Sequence, residues 1–154
     1  MNNRKYHISG FTLIEMLLVI VIIAIMTSIA FFSLLRSFQQ TALREAAVQV
    51  AADLKKSRLN AQKTGQLATL TITPNTSSYS MQTGTATPII RQLPKRIVIT
   101  NAVGVANISY QPPYGTLAAG GVTWQLVNPS NPDLRLFIKI TGITGKVSIS
   151  ERAN

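Results

Sequence analysis

The sequence predicts an α+β fold: a long N-terminal α-helix, apolar enough in its first half to cross a membrane, packed on a C-terminal antiparallel β-sheet head. Three observations carry this expectation. Phe11 to Leu35 is a run of 25 residues with one charge, Glu15, and neither Gly nor Pro. Between Arg36 and Thr64 the apolar residues recur at helical spacing. After Gly65 the pattern changes to period two.

As a helix the apolar run spans about 37 Å, against roughly 30 Å of bilayer hydrocarbon. Apolar side chains cover every face, which excludes an amphipathic surface helix. Arg4 and Lys5 precede the run. Basic residues ahead of a first span hold that end in the cytoplasm, so the chain after Leu35 is expected on the far side. Farther on, Phe38, Ala42, Ala46, Val50, Leu54 and Ala61 recur mostly at four-residue steps, and Leu43, Ala47 and Leu59 widen the stripe. Arg36, Arg44, Lys55, Lys56, Arg58 and Lys63 crowd the other faces. This is one face on a core and the others in water. Lys63 in the last turn and Gly65 after it supply the stop, giving one helix of roughly fifty residues.

In the head, Leu67, Thr69, Thr71 and Thr73 alternate with Ala68, Leu70 and Ile72, and Tyr79 to Met81 returns as a hairpin after a turn at Pro74–Ser77. Further strands are expected at Ile89–Leu93, Ile97–Asn101, Ile108–Gln111, Val122–Val127, Leu134–Ile140 and Lys146–Ser150. Turns are expected at Pro112–Gly115, Asn128–Asp133 and Thr141–Gly142. The organisation is then residues 1–10 as a leader, 11–35 as the membrane helix, 36–65 as its amphipathic half and 66–154 as the head.

Composition argues against catalysis. There is no cysteine, so there is no disulfide, thiolate metal site or catalytic thiol. The one histidine is His7, ahead of the helix. The acids are Glu15, Glu45, Asp53, Asp133 and Glu151. On a helix Glu45 and Asp53 lie about 12 Å apart, too far for a carboxylate pair. No cluster has metal-ligand spacing, and no phosphate-binding glycine loop is present. The chain is expected to be no enzyme and to need no metal or cofactor.

Glu15 is the residue that needs explaining, because a charge at mid-membrane costs roughly 2.5–3.5 kcal/mol. An uncleaved anchor leaves it without a role, beyond a carboxylate snorkelling near the helix end. A secretory signal peptide cut after Ser28-Ile29-Ala30 places the charge inside its apolar run, and apolar residues continue past the cut through Phe31, Phe32, Leu34 and Leu35. The string Gly10-Phe11-Thr12-Leu13-Ile14-Glu15 resembles the cleavage motif of type IV prepilins. That resemblance implies a cut between Gly10 and Phe11 by a prepilin peptidase, N-methylation of Phe11 by the same kind of enzyme, and Glu15 as the acidic fifth residue that acts in assembly. An ammonium created at Phe11 sits one helical turn from such a carboxylate, in the same or a neighbouring subunit, and low dielectric strengthens the pair.

The resemblance narrows in the head. Ala51 to Gly65, Ile108 to Gly115 and Leu134 to Val147 resemble the minor pilin and pseudopilin group that includes the H subunit of type II secretion and the FimT-like pilins. It implies the pilin fold, a single pass of the bacterial inner membrane with the head outside the cytoplasm, and passage into a pilus or pseudopilus. The implied partners are the prepilin peptidase and N-methyltransferase, other pilins or pseudopilins, and inner-membrane lipid. The type IV pilus and the type II secretion system use the same motif and stay undivided here.

Charge is the remaining signal. The chain carries +10, and loss of residues 1–10 removes Arg4 and Lys5 to leave thirteen basic and five acidic residues, a net +8. The basic groupings are Lys55-Lys56-Arg58-Lys63, Arg91-Lys95-Arg96, and Lys139 with Lys146 and Arg152. A basic surface attracts phosphate backbones, lipid headgroups and acidic neighbours alike, and often serves solubility alone. FimT-like pilins include DNA-binding subunits with a Gly-Arg-x-Arg-like motif near the last strand. Gly145-Lys146-Val147-Ser148 matches it in part, with Lys for the first Arg and Ser for the second. Lys139, Lys146 and Arg152 are thus the candidate DNA-binding residues, and DNA is a candidate partner through sequence-independent phosphate contacts.

Overall fold

The computed structural model describes residues 11–94, 97–118 and 120–152. The expected leader with Gly10 lies outside the described residues, as do Lys95 and Arg96 of the second basic grouping. The helix α1 runs Leu13–Thr64. Thr12 caps it: the Thr12 carbonyl oxygen and Oγ1 accept the Glu15 backbone N–H at 3.1 and 3.3 Å. A Thr followed three residues later by Glu is the capping-box spacing, and a carboxylate in the first turn suits the helix dipole. Gly65 ends the helix at φ 66°. Its N–H donates to the Ala61 carbonyl at 3.1 Å, the single bond of a left-handed C-cap.

Two compact units divide between Ser37 and Phe38. In the first, the described side chains are exposed, among them Leu13, Ile14, Ile20, Met26 and Phe32. Two hydroxyls of this segment are satisfied locally. Thr27 Oγ1 and Ser28 Oγ donate to the Ile23 and Ala24 carbonyls at 2.8 Å each. The Glu15 carboxylate is the one charge of the apolar run, and it makes no hydrogen bond or ion pair among the described residues.

The second unit has its own core. Among the described residues nine strands follow the helix: β1 (Ala68–Ile72), β2 (Ser78–Thr83), β3 (Ile89–Gln92), β4 (Val98–Val103), β5 (Asn107–Gln111), β6 (Thr116–Leu117), β7 (Val122–Asn128), β8 (Asn131–Thr141) and β9 (Lys146–Ser150). They form a five-stranded sheet in the order β3-β2-β1-β5-β6 and a four-stranded sheet in the order β4-β7-β8-β9. All the strand pairs are antiparallel. Alternation decides what each sheet buries. Ala68, Leu70 and Ile72 of β1 share a face with Tyr79 of β2 and with Ile108 and Tyr110 of β5. In the other sheet Val122, Trp124 and Leu126 pair with Ile140, Ile138 and Leu136. These inner faces form one cluster with Leu43, Ala46, Ala47, Val50, Leu54 and Ala61 of the helix.

The expected helix face is mostly the observed one, with two exceptions. Phe38 and Leu59 are 58% and 50% exposed, while Asp53 and Ser57 take buried places. Each four-residue step turns 400°, so a stripe stepped by fours drifts about 40° per step and leaves the core at its ends. Three strand expectations also change. β3 exists, but every side chain on it is exposed. The turn expected over Asn128–Asp133 shrinks to residues 129–130, because Asn128 Oδ1 accepts the Ser130 N–H at 3.0 Å and closes it. Pro132 then falls where the β7–β8 register jumps from Val127–Arg135 to Asn128–Asn131, a bulge in which no ladder donor is required. The two-residue β6 is too short to show periodicity.

Trp124 is fully buried, and its indole N–H donates to the Val105 carbonyl at 3.0 Å. Replacing Trp124 with Ala should cost about 3–5 kcal/mol of stability. Urea denaturation followed by far-ultraviolet circular dichroism checks this, since the chain's one tryptophan is lost with the substitution.

Candidate functional site

The N-terminal site is a short piece of helix with one carboxylate on an apolar surface. Phe11 is 76% exposed and stands just before the capped start. Glu15 follows one turn later, flanked in a shallow apolar groove by Thr12, Ile14, Leu17, Leu18 and Val21. Its carboxylate makes no hydrogen bond or ion pair among the described residues. The sequence singled out Phe11 and Glu15; the part it missed is Thr12, whose cap fixes where the helix begins.

In the second unit the charged residues separate into different surroundings. Asp53 sits on the buried helix face and accepts two bonds at Oδ2, from Tyr79 Oη at 2.6 Å and from Arg91 Nε at 3.2 Å. Gln49, one turn before it, donates from Nε2 to Tyr79 Oη at 3.1 Å and to the Gln92 carbonyl at 2.9 Å. This network clamps the helix onto β2 and β3. Burial, then the bond to the Asp53 carboxylate, pushes the Tyr79 hydroxyl above its ordinary pKa. The same carboxylate raises that of Arg91. Arg91 is therefore committed to holding the fold rather than free for a ligand. Tyr79 was read only as a strand residue and Asp53 only as an unpaired acid, because their meeting spans 26 residues of sequence.

Lys139, Lys146 and Arg152 do not converge. Register pairs Lys139 with Ser148 and Thr141 with Lys146, so both lysines share the face of the β8–β9 hairpin opposite the buried Ile138 and Ile140. Arg152 follows the other end of β9, where its N–H donates to Ser150 Oγ at 3.1 Å. At about 3.3 Å per residue, β9 alone separates it from Lys146 by roughly 13 Å. Gly145 of the partial motif has a packing reason. It adopts φ 61°, and a Cβ there would lie 2.7 Å from Tyr110 Cε1. Gly115 at φ 63° is equally confined, since its Cβ would lie 2.7 Å from Arg58 Cγ. The β8–β9 turn thus lies down on Tyr110, and the β5–β6 turn on the stem of Arg58. Among the described residues no three His, Cys, Asp or Glu side chains converge to hold a metal.

Comparison with known proteins places this geometry. Residues 6–31 match the prokaryotic N-terminal methylation motif. One long N-terminal helix packed on antiparallel sheets behind that motif makes this a type IV pilin-like protein in motif and fold. In particular it resembles the type IV minor pilin FimU of Pseudomonas aeruginosa, whose crystal structure superposes with a TM-score of 0.56. The two are 16% identical, and the match covers 70% of this chain and 92% of FimU. No curated protein sequence matches the chain.

The two buried tyrosines give the head an alkaline limit. Burial pushes the Tyr110 hydroxyl up to about 12, although Arg58 pulls it the other way. In the unfolded chain a tyrosine titrates near 10. Each hydroxyl whose folded pKa is raised holds its proton more tightly in the fold, so its stability is complete below about pH 10 and is lost as pH rises towards the folded value. Stability should fall between about pH 10 and 12, and Tyr110→Phe should flatten part of that slope. Thermal melts across this range measure it.

Proposed function

We propose that the chain is a minor pilin or pseudopilin: a structural subunit cut between Gly10 and Phe11, methylated at Phe11 and assembled into a pilus or pseudopilus from the inner membrane. The observation that carries this reading is Glu15, a carboxylate with no internal partner among exposed apolar side chains, one helical turn from the expected new amine of Phe11. A membrane helix with such a charge needs a cation, and cleavage at Gly10 creates one at the right place. The exposed run from Leu13 to Leu35 also needs covering, first by lipid and then by the equivalent helices of neighbouring subunits. With the Thr27 and Ser28 hydroxyls satisfied by their own helix, Glu15 is the charge left to set axial register. The prepilin peptidase and N-methyltransferase, other pilins and inner-membrane lipid are the partners in this reading. The likeness to FimU supports it through the fold.

A second reading is DNA capture by the head. It is favoured by the net +8 left after cleavage and by Lys139 and Lys146 lying on one sheet face. The separation of Arg152 from them argues for diffuse phosphate contact rather than a built motif.

Mass spectrometry of the protein from its native membrane should find an N-terminus at methylated Phe11, and Gly10→Val should retain Met1. Glu15→Ala should be inserted and cut normally, yet fall more than about tenfold in sheared filaments, since leaving a buried charge unpaired costs roughly 3–5 kcal/mol. Normal incorporation of Glu15→Ala would remove the register role.

A further inference from the structure

A groove of about 720 Å³ opens where the C-terminal part of the helix meets the β8–β9 turn. Lys55, Arg58 and Gln62 line it from the helix, Tyr110 from β5, and Gly145 and Lys146 from the turn. Three of these six are cations, and no carboxylate lines the groove. None of the three cations makes an ion pair among the described residues, since the salt bridge of this unit joins Arg91 to Asp53.

Two polar atoms in the groove wall are unsatisfied. Tyr110 is 0% exposed, yet its hydroxyl has no hydrogen-bond partner, and neither does the buried Nε of Arg58. Buried polar groups are nearly always paired, so two orphans beside each other call for a missing acceptor. Both are donors. The Tyr110 pKa of about 12 keeps its proton in place at neutral pH. The Arg58 stem lies against Gly115, so the side chain is held at the wall of the groove. The helix C-terminus contributes only about half a negative charge, and two carbonyls near its end are already engaged. Gly65 N–H bonds Ala61 O, and Thr64 Oγ1 bonds Asn60 O at 2.7 Å. Three full positive charges outweigh it.

We infer that this groove binds a phosphate-type oxyanion, held by the guanidinium of Arg58 and the hydroxyl of Tyr110 within the field of Lys55 and Lys146. The groove lies at the turn end of the β8–β9 hairpin, where Lys146 borders it and Lys139 does not, and it stands independently of whether the subunit serves a pilus or a pseudopilus. A planar guanidinium fork beside a hydroxyl suits a tetrahedral oxyanion better than a diffuse lysine surface does.

The test uses the full chain in zwitterionic detergent at low salt, titrated with inorganic phosphate by calorimetry and with a short single-stranded oligothymidylate by fluorescence anisotropy. Saturable binding of either probe is expected. Arg58→Gln should weaken it by about tenfold or more, as for a hydrogen bond to a charged group. Tyr110→Phe should weaken it several-fold with no change in net charge, while the Tm without ligand is unchanged or higher because an unpaired buried hydroxyl has been removed. Lys139→Gln, the same charge loss as Arg58→Gln outside the groove lining, should weaken binding clearly less than Arg58→Gln does. Phosphate binding alone assigns the free ion. Tighter oligonucleotide binding that keeps its dependence on Tyr110 assigns a phosphodiester, and either result upholds the groove. Absence of saturable binding by both probes, or Tyr110→Phe binding like the parent, overturns it. So does a loss in Lys139→Gln equal to that in Arg58→Gln. If Arg58→Gln unfolds, the Tyr110→Phe comparison still decides the question.

Discussion

The seat of the helix on the two sheets is the contact on which the head depends. It is made by a face of small and medium side chains, Ala42, Ala46, Ala47, Val50, Leu54 and Ala61, all 0–3% exposed. Alanines let the helix backbone come close to the sheets. The larger volume is supplied from the strands by Trp124, Tyr79, Tyr110 and the isoleucines. Cores need near-crystalline packing, so a narrow helix face is matched by bulky sheet residues. The glycines of the two turns follow from the same closeness: Gly115 and Gly145 stand where a methyl group would collide with Arg58 or Tyr110.

Within that seat the polar residues divide by whether they are answered. Asp53 is buried but accepts from Tyr79 and Arg91, so its burial orients the helix on β2 and β3 instead of undermining it. Leaving such a carboxylate alone in the core would cost several kcal/mol. Tyr110 and Arg58, two strands and about one helical turn away, are unanswered. The same interface thus holds a closed network at one end and an open one at the other. The closed network explains why the fold retains an acid in its core. The open one marks where the surface has unused donors.

The first unit obeys a different solvent. Its side chains are apolar on every face, the Thr27 and Ser28 hydroxyls are satisfied by their own helix, and its one carboxylate is near the capped end. Such a segment is stable only where lipid or other apolar helices surround it, since in water it would expose far more contiguous apolar surface than soluble proteins tolerate. The methylation motif over residues 6–31 falls on this segment, and the fold likeness to FimU covers 70% of the chain. The motif and the folded core thus fall on different stretches of one chain.

Local physics made much of this legible in the sequence. The apolar run, the motif from Gly10 to Glu15, the stop at Gly65 and most strands are written in short-range patterns of hydrophobicity, charge and turn residues. The strands announce themselves because one face of each is buried, so they alternate. β3 was legible from its isoleucines, yet its exposure was not, because β-propensity does not say which strand ends at an edge. Pro132 hid the start of β8, since only the bulge that it occupies makes a proline harmless there. What tertiary structure alone decided is which distant groups meet. Asp53 finds Tyr79 and Arg91, Gly145 finds Tyr110, and Lys146 parts from Arg152. Such meetings depend on register and sheet order, which no local pattern encodes, whereas solvent preference and helix length are properties of contiguous residues.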